Sequence, residues 1–534
     1  MRLKISCIIN IVVLLSFCPL LVAQDQFIKD YRSPEFGVKT LPYNAIKTSD
    51  GGYAIVGVTA DTNSNWDSFI ARFDSIGNCI WARRIDINPW DICWQIVETR
   101  DQGYAIGGYT GQIMGPVDFL FLKFNNAGNL EVAKTIGGSG NDVAFSLIRT
   151  HPSDGYVMAG HTNSFNSSYV LMFVRLDSTG NYLFTRTIDL PSSSGEYFRT
   201  ITMNSIHQYL AWAHVNDQHA LFMRLDGLMY PITRKIIYSL ADRKLYPVST
   251  ISTGDGLNEN LTLCDMLLGN SVYEDIVLIK MNNQGQLEWT RRFWGTINNT
   301  PLQFLGYGLL QTTALDYLGV VEMDKPEVPM FITTGIFRWS PEGNLVWMHT
   351  AGRKDLYARC KSIIPTADNG YLYAGTFLIK DTVSGDTNLI SLTKFDSLGY
   401  SCLPDTFAIS VGDSMLTLSS EDVTVTSTLV NPTVSDISPL VVNCNLSDSL
   451  VCEEWLAIQE LPGEIIGERP KLLNTALFFD DQIKIEFFAP SLNPLELKIY
   501  DALGRQVYTN SSRLTPKHLL IAVDRIARLP AVIY

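Results

Sequence analysis

A basic residue, an apolar one, then Asp, Asn or Ser: this signature occurs seven times and constrains what the chain can fold into. It stands at Arg72 Phe73 Asp74, Lys123 Phe124 Asn125, Arg175 Leu176 Asp177, Arg224 Leu225 Asp226, Lys280 Met281 Asn282, Arg338 Trp339 Ser340 and Lys394 Phe395 Asp396. In six of the seven copies a glycine follows three residues after the polar one, and only the fourth has another residue there, Met229. A polar side chain that bonds its own backbone, followed by a residue free to take positive φ, is the chemistry of a tight hairpin turn with a bulge. Each copy therefore predicts strand, turn, strand.

A second turn lies upstream in most copies, at Asp50 Gly51 Gly52 Tyr53, Asp101 Gln102 Gly103 Tyr104, Asp154 Gly155 Tyr156 and Asp368 Asn369 Gly370 Tyr371. Between the two turns come an apolar strand such as 53–59, a variable loop and an alternating strand such as 69–73. The strand after the second turn carries an apolar residue, a spacer and a basic residue, as in Trp81 and Arg83, Val132 and Lys134, Phe184 and Arg186, and Trp289 and Arg291. Four short strands in a unit of roughly 50 residues without helical periodicity predict an all-β, seven-bladed β-propeller over 24–401. The last unit lacks its fourth strand. Phe27 to Tyr31 matches the pattern of Trp81 to Ile85 and supplies it from the other end of the chain, closing the ring.

Before the repeats, Arg2 and Lys4 lead into an apolar run that ends at Ala23, the pattern of a secretory signal peptide over 1–23. No later run is long and apolar enough to predict a transmembrane segment. The formal charge of −13 argues against nucleic acid or an anionic membrane surface as partner. After the repeats, 402–470 is rich in Ser, Thr, Asp and Val and reads as a β-rich linker. The segment 471–534 returns to strand, turn, strand, expected as a small C-terminal β-sandwich domain.

The Asp Gly Gly Tyr turn together with the Asp x x Gly Asn x x Trp hairpin resembles the repeat-bearing secreted proteins of Bacteroidetes. Ile499 Tyr500 Asp501 Ala502 Leu503 Gly504 Arg505 resembles the hallmark hairpin of the type A C-terminal sorting domain of the type IX secretion system. The closing stretch Leu529 to Tyr534 lacks that domain's usual glycine. The resemblance implies export by the type IX secretion machinery and a location outside the cell or on its outer surface.

The chemistry offered along the chain is that of binding more than of catalysis. Asp61, Asn63, Asn65 and Asp67 are oxygen donors at alternate positions, the spacing of a calcium loop, although Trp66 stands where such loops usually turn on a glycine. Polar loops with this spacing also occur without metal, and no other cofactor is indicated. His207, His214 and His219 cluster in sequence without a carboxylate or cysteine at ligand spacing. The basic column from Arg72 to Lys394 is expected to hold strands together. Cys402, Cys444 and Cys452 are the cysteines placed best for a stabilising bridge, with Cys264 and Cys360 as buried singletons. The stretches before each first strand, including 88–91 and 138–142, differ in every unit, so a ligand is expected at their end of the ring, with Trp90 and Trp94 as contacts. Two functions fit: a non-catalytic binding or scaffold protein for an extracellular protein or polysaccharide, and an extracellular glycan-acting hydrolase.

Overall fold

A computed structural model describes residues 24–456, apart from 38, 61–64, 153, 192, 217, 240–242, 255–258, 269–273, 283, 325–331, 351–357, 380–386 and 404–408. Beyond 456 it describes the backbone of six further strands. The chain divides into two compact units, Phe27–Cys452 and one containing Glu453–Tyr534.

The first unit is all β among the described residues, and its strands form seven four-stranded antiparallel meanders. They span 39–86, 90–137, 142–189, 196–238, 243–297, 300–350 and 358–395, numbered here 1 to 7. Meander 7 takes its fourth strand from the N-terminus, Gln24–Arg32, with Phe27 opposite Lys394 and Tyr31 opposite Ile390. The first strand of each meander packs on the first strand of the next, and that of meander 7 packs on that of meander 1. This arrangement is a β-propeller, with the core in the layers between successive sheets.

The two repeated turns show why the sequence folds this way. In the second hairpin the Asp74 carboxylate accepts the N–H groups of Ile76 and Asn78, and Asp177, Asp226, Asn282 and Asp396 repeat the pattern. The turn needs positive φ at its fourth position, met by Gly77 at 82° and, where the glycine is lost, by Met229 at 63°. The glycines also lie against an aromatic ring of the preceding meander. A Cβ on Gly128 would come within 2.8 Å of the Trp81 indole, and one on Gly343 within 2.6 Å of Trp289. Phe27 covers Gly77 in the same way, so the N-terminal strand occupies the position that Trp81 holds in meander 1.

The basic column clamps strand to turn within a meander. Lys123 Nζ lies 2.8 Å from the Asp101 carboxylate, Lys280 Nζ 2.9 Å from Glu259, Arg338 Nη2 2.6 Å from Asp316 and Lys394 Nζ 2.8 Å from Asp368. Arg72 pairs with Asp50, while Arg175 donates instead to Thr150 Oγ1 and the Tyr156 carbonyl. The first hairpin keeps its form where its sequence has changed: Leu315 takes the glycine's place with φ 69°, and His207 with φ 62°.

Within the stretch expected as a linker, the described strands from Ile409 to Leu456 are instead paired with the propeller's sheets. Ile409–Met415 pairs with the outer strand of meander 5, Ser419–Asp422 with that of meander 4, Thr426–Val430 with meander 3, Thr433–Asp436 with meander 2 and Leu440–Cys444 with meander 1. Ser447–Leu456 then lies beside Gln24–Arg32 on meander 7. This belt crosses the meanders against their order in sequence, and then reaches meander 7. Its acids meet the bases of the fourth strands, as in Lys235 with Asp422 at 3.0 Å and Arg291 with Asp413 at 3.1 Å. Those pairs are exposed on the acid side and worth little. The backbone ladders, which satisfy six sheet edges, hold the belt.

In the second unit, Lys471–Phe479, Gln482–Phe488 and Leu519–Ala522 form one three-stranded sheet. Leu497–Asp501 is central in another, paired with Gln506–Asn510 and Ala531–Ile533.

Candidate ligand-binding face

In a four-stranded antiparallel meander, the connection to the next meander and the loop between second and third strands emerge at the same end. That end carries a cavity of about 460 Å³ between meanders 2 and 3. Trp90 opens the first strand of meander 2, Tyr109 lies near the end of its second, and the loop 114–117 follows. Gly140, Asn141 and Tyr169 line the side of meander 3. Trp90 and Tyr109 meet edge to face at 6.4 Å. Met114 is 98% exposed at the rim, beside Ile113 at 48%.

Buried carboxyls fix the loops of this face. Asp91, fully buried, accepts the N–H groups of Ile87 at 2.7 Å and Asn88 at 3.0 Å and the Thr110 hydroxyl. Asp142 does the same one meander on, with Gly138 N at 2.7 Å, Ser164 Oγ at 2.8 Å and Thr162. Glu196 takes the position in meander 4, where it accepts Leu190 N and Ser193 Oγ. Burial pushes Asp91 and Glu196 up to about 7, against the hydrogen bonds that pull them down. These acids close connections between meanders, and in doing so they place the residues of the cavity. Asn141, held through its N–H on Asn163 Oδ1 at 2.6 Å, donates its amide to the Tyr169 hydroxyl at 3.2 Å.

Asp118 stands apart from its counterparts. Asp67 in meander 1 and Asp275 in meander 5 face Arg84 and Arg292 at 2.7 and 2.5 Å. The corresponding partner position in meander 2 is Thr135. Burial, with Asp142 beside it, raises Asp118 to about 6.

A second feature lies on the inner strands. Every first strand has a one-residue bulge at the same height, and the extra residue is half-buried. In meanders 1 to 3 it is aromatic: Tyr43, Trp94 and Phe145. Meander 4 places Arg199 there and meander 5 Val248, while meander 6 has Tyr307 beside Gly308 and meander 7 has Lys361. Bulges re-aim side chains and recur beside sites. Tyr43 stacks on Trp94 at 4.2 Å, Trp94 meets Phe145 at 5.6 Å, and Phe145 meets His161 at 5.4 Å. The chain of rings continues through Tyr197 and His214 to Tyr246 in meander 5.

Of the two tryptophans expected as contacts, Trp90 lines the cavity, whereas Trp94 sits in the inner tier. Tyr109, Asn141 and Tyr169 also line the cavity without belonging to any repeated motif, although Asn141 falls inside the variable stretch 138–142. Their signal is faint because each comes from a different loop. Within the proposed calcium loop, Asp61 and Asn63 lie outside the described residues, Asn65 is exposed and Asp67 is buried against Arg84. Asp67, Asp86 and Asp91 bring oxygens within 4.8 Å of one another, but Arg84 already engages Asp67, and two backbone N–H groups and Thr110 engage Asp91. The histidines separate: His207 is in a turn facing His151, His214 is in the ring chain, and His219 packs near Tyr238. Cys402 is disulfide-bonded, while Cys264 and, against expectation, Cys444 are buried free thiols. The side chains of Cys360 and Cys452 lie outside the described residues.

No family model matches the chain, and no curated protein does. Among solved structures, a neuraminidase-like protein of the A/flat-faced bat/Peru isolate is similar at 10% identity and a TM-score of 0.34. That similarity covers 73% of this chain and 99% of that one. Among the described residues no helix is long and apolar enough to cross a membrane.

Proposed function

We propose that this chain is a secreted or cell-surface binding protein, non-catalytic, whose seven meanders close a seven-bladed ring and which holds an extracellular polysaccharide in the cavity between meanders 2 and 3. The cavity carries the reading: Trp90, Tyr109 and Tyr169 offer apolar ring faces, and Asn141 with nearby loop backbone offers hydrogen bonds. Sugar rings present C–H faces and hydroxyls together, and such a mixed wall matches both. Export is supported by the leader, by the Ile499 to Arg505 hairpin and by the disulfide at Cys402, which suits an oxidising compartment. Ring closure is supported by the succession of first strands and by Phe27 over Gly77.

Glycan arrays should show binding without turnover, lost in Trp90→Ala while the melting curve is kept. Binding that Trp90→Ala leaves intact would remove the cavity from the reading. A glycan-acting hydrolase is the second reading, because Asp118, raised to about 6 beside Asp142, has the protonation a general acid needs. Released product that disappears in Asp118→Asn would establish it. Deletion of 471–534 should retain the protein in the periplasm of a host that has type IX machinery, and equal surface display without that segment would exclude this route.

A further inference from the structure

We propose that the ligand of the cavity between meanders 2 and 3 is a neutral polysaccharide, and that the cavity walls select against uronates and other acidic sugars; this rests on the reading of the cavity as a polysaccharide site. The lining carries the first part of the argument. Trp90, Tyr109, Asn141 and Tyr169 supply its polar side-chain groups, and no Asp, Glu, Lys, Arg or His stands among the described lining residues. Asn141 donates an amide hydrogen to the Tyr169 hydroxyl at 3.2 Å, which leaves Asn141 Oδ1 to accept and the Tyr169 hydroxyl hydrogen to be donated. A sugar hydroxyl gives and accepts at once, so it suits both. A carboxylate only accepts, and it meets Asn141 Oδ1 with no hydrogen to offer.

The loops of this wall have already committed the backbone donors that could hold an anion. Successive N–H groups in a turn make an anion site only while they point outward. Here the Gly115 N–H bonds the Gln112 carbonyl at 3.1 Å, the Gly140 N–H the Ser164 hydroxyl at 2.9 Å, and the Asn141 N–H the Asn163 side-chain oxygen at 2.6 Å. Pro116, between Gly115 and Val117 in the same wall, has no N–H.

A carboxyl also stands one residue behind each wall segment: Asp91 after Trp90, Asp118 after Val117, and Asp142 between Asn141 and Val143. Asp91 and Asp142 are fully buried, and their partners are N–H groups and hydroxyls rather than cations. Asp118 and Asp142 both approach the open side of Gly137, and the position that gives Asp67 and Asp275 an arginine gives Asp118 only Thr135. An acidic sugar held in front of these carboxyls is repelled with no compensating partner in the lining, whereas a neutral one is not.

The test is isothermal titration calorimetry of the full chain at pH 8, above the values of about 7 and about 6 to which burial raises Asp91 and Asp118. The probes are soluble β-1,4-linked glucan, mannan and galactan oligomers, each beside the same oligomer oxidised at C6 to the uronate. At least one neutral oligomer should bind saturably, and its uronate at least about tenfold more weakly. Met114→Lys, which sets a cation at the exposed rim, and Asp118→Asn, which removes a carboxyl, should each narrow that ratio by about threefold or more. A uronate that binds as tightly as its neutral counterpart overturns the selectivity and leaves the polysaccharide site in place. Absence of binding by every oligomer removes the polysaccharide site and this inference with it. A ratio unchanged in folded Met114→Lys and folded Asp118→Asn also overturns the proposal.

Discussion

Asp101 at the turn end and Glu196 at the loop end are tuned in opposite directions, and the cause is what each can reach. At the turn end, burial raises Asp101, but Lys123 and Thr99 outweigh it and hold the carboxyl at about 2. Its contribution is present above the ordinary aspartate range and is lost as pH falls through about 2. At the loop end, Glu196 is raised to about 7 by burial, and its Oε2 has no hydrogen-bond partner. The folded state holds that proton more tightly than the unfolded chain, so Glu196 costs stability progressively as pH rises from about 4 to about 7. His161, lowered to about 3, acts in the other direction below its ordinary value. Glu196 is isolated by comparison with Glu196→Gln, which keeps the oxygen that accepts Leu190 N. The wild type should lose more stability than the variant between pH 5 and pH 8 in parallel thermal melts. Parallel curves would show that Glu196 is not the group responsible.

Within each meander the second hairpin does two tasks with one residue. The glycine three positions after the polar residue supplies positive φ and lets the preceding meander's aromatic ring lie on the turn. Gly343 combines both demands, with φ 78° and the Trp289 indole 2.6 Å from where a methyl group would stand. Gly343→Ala should cost about 2–4 kcal/mol, from left-handed backbone strain plus overpacking against the indole. Gly227→Ala should change stability by no more than about 0.5 kcal/mol, since a Cβ there meets nothing within 4 Å. Urea unfolding of both variants measures this, and equal effects would show that the contact with Trp289 carries no weight. Met229 shows the same principle from the other side: the turn persists without glycine, at φ 63°.

For the whole molecule the decisive elements come from two segments far apart in the chain. Gln24–Arg32 completes meander 7 and is itself covered by Ser447–Leu456. Phe27, Ile28 and Tyr31 are each at most 4% exposed. Burial of three such side chains is worth about 5 kcal/mol or more, so deletion of 24–33 should lower the melting temperature by about 5–10 °C. Calorimetry checks this, and an unchanged transition would mean that the strand does not close the ring. The belt adds a layer of edge protection. Of the seven outer edges, the described belt strands cover all except that of Leu345–Thr350 in meander 6.

The repeated turns were readable from the chain because turn chemistry is local: an Asp, a glycine and a few N–H groups within five residues determine the hairpin. The position of Phe27 was readable for the same reason, since it copies the pattern around Trp81. The belt was not. Alternation over 417–429 indicates extended chain, but nothing local tells Thr426–Val430 that its partner is Thr185–Asp189, more than two hundred residues earlier. The cavity was half readable. Trp90 stands in a stretch that varies between repeats, whereas Tyr109, Asn141 and Tyr169 come from three other segments and meet only when meanders 2 and 3 pack. The inner tier depended wholly on tertiary structure. A bulge is a mismatch between two strands, so Tyr43, Trp94 and Lys361 acquire their special position only once the partner strand's register is set.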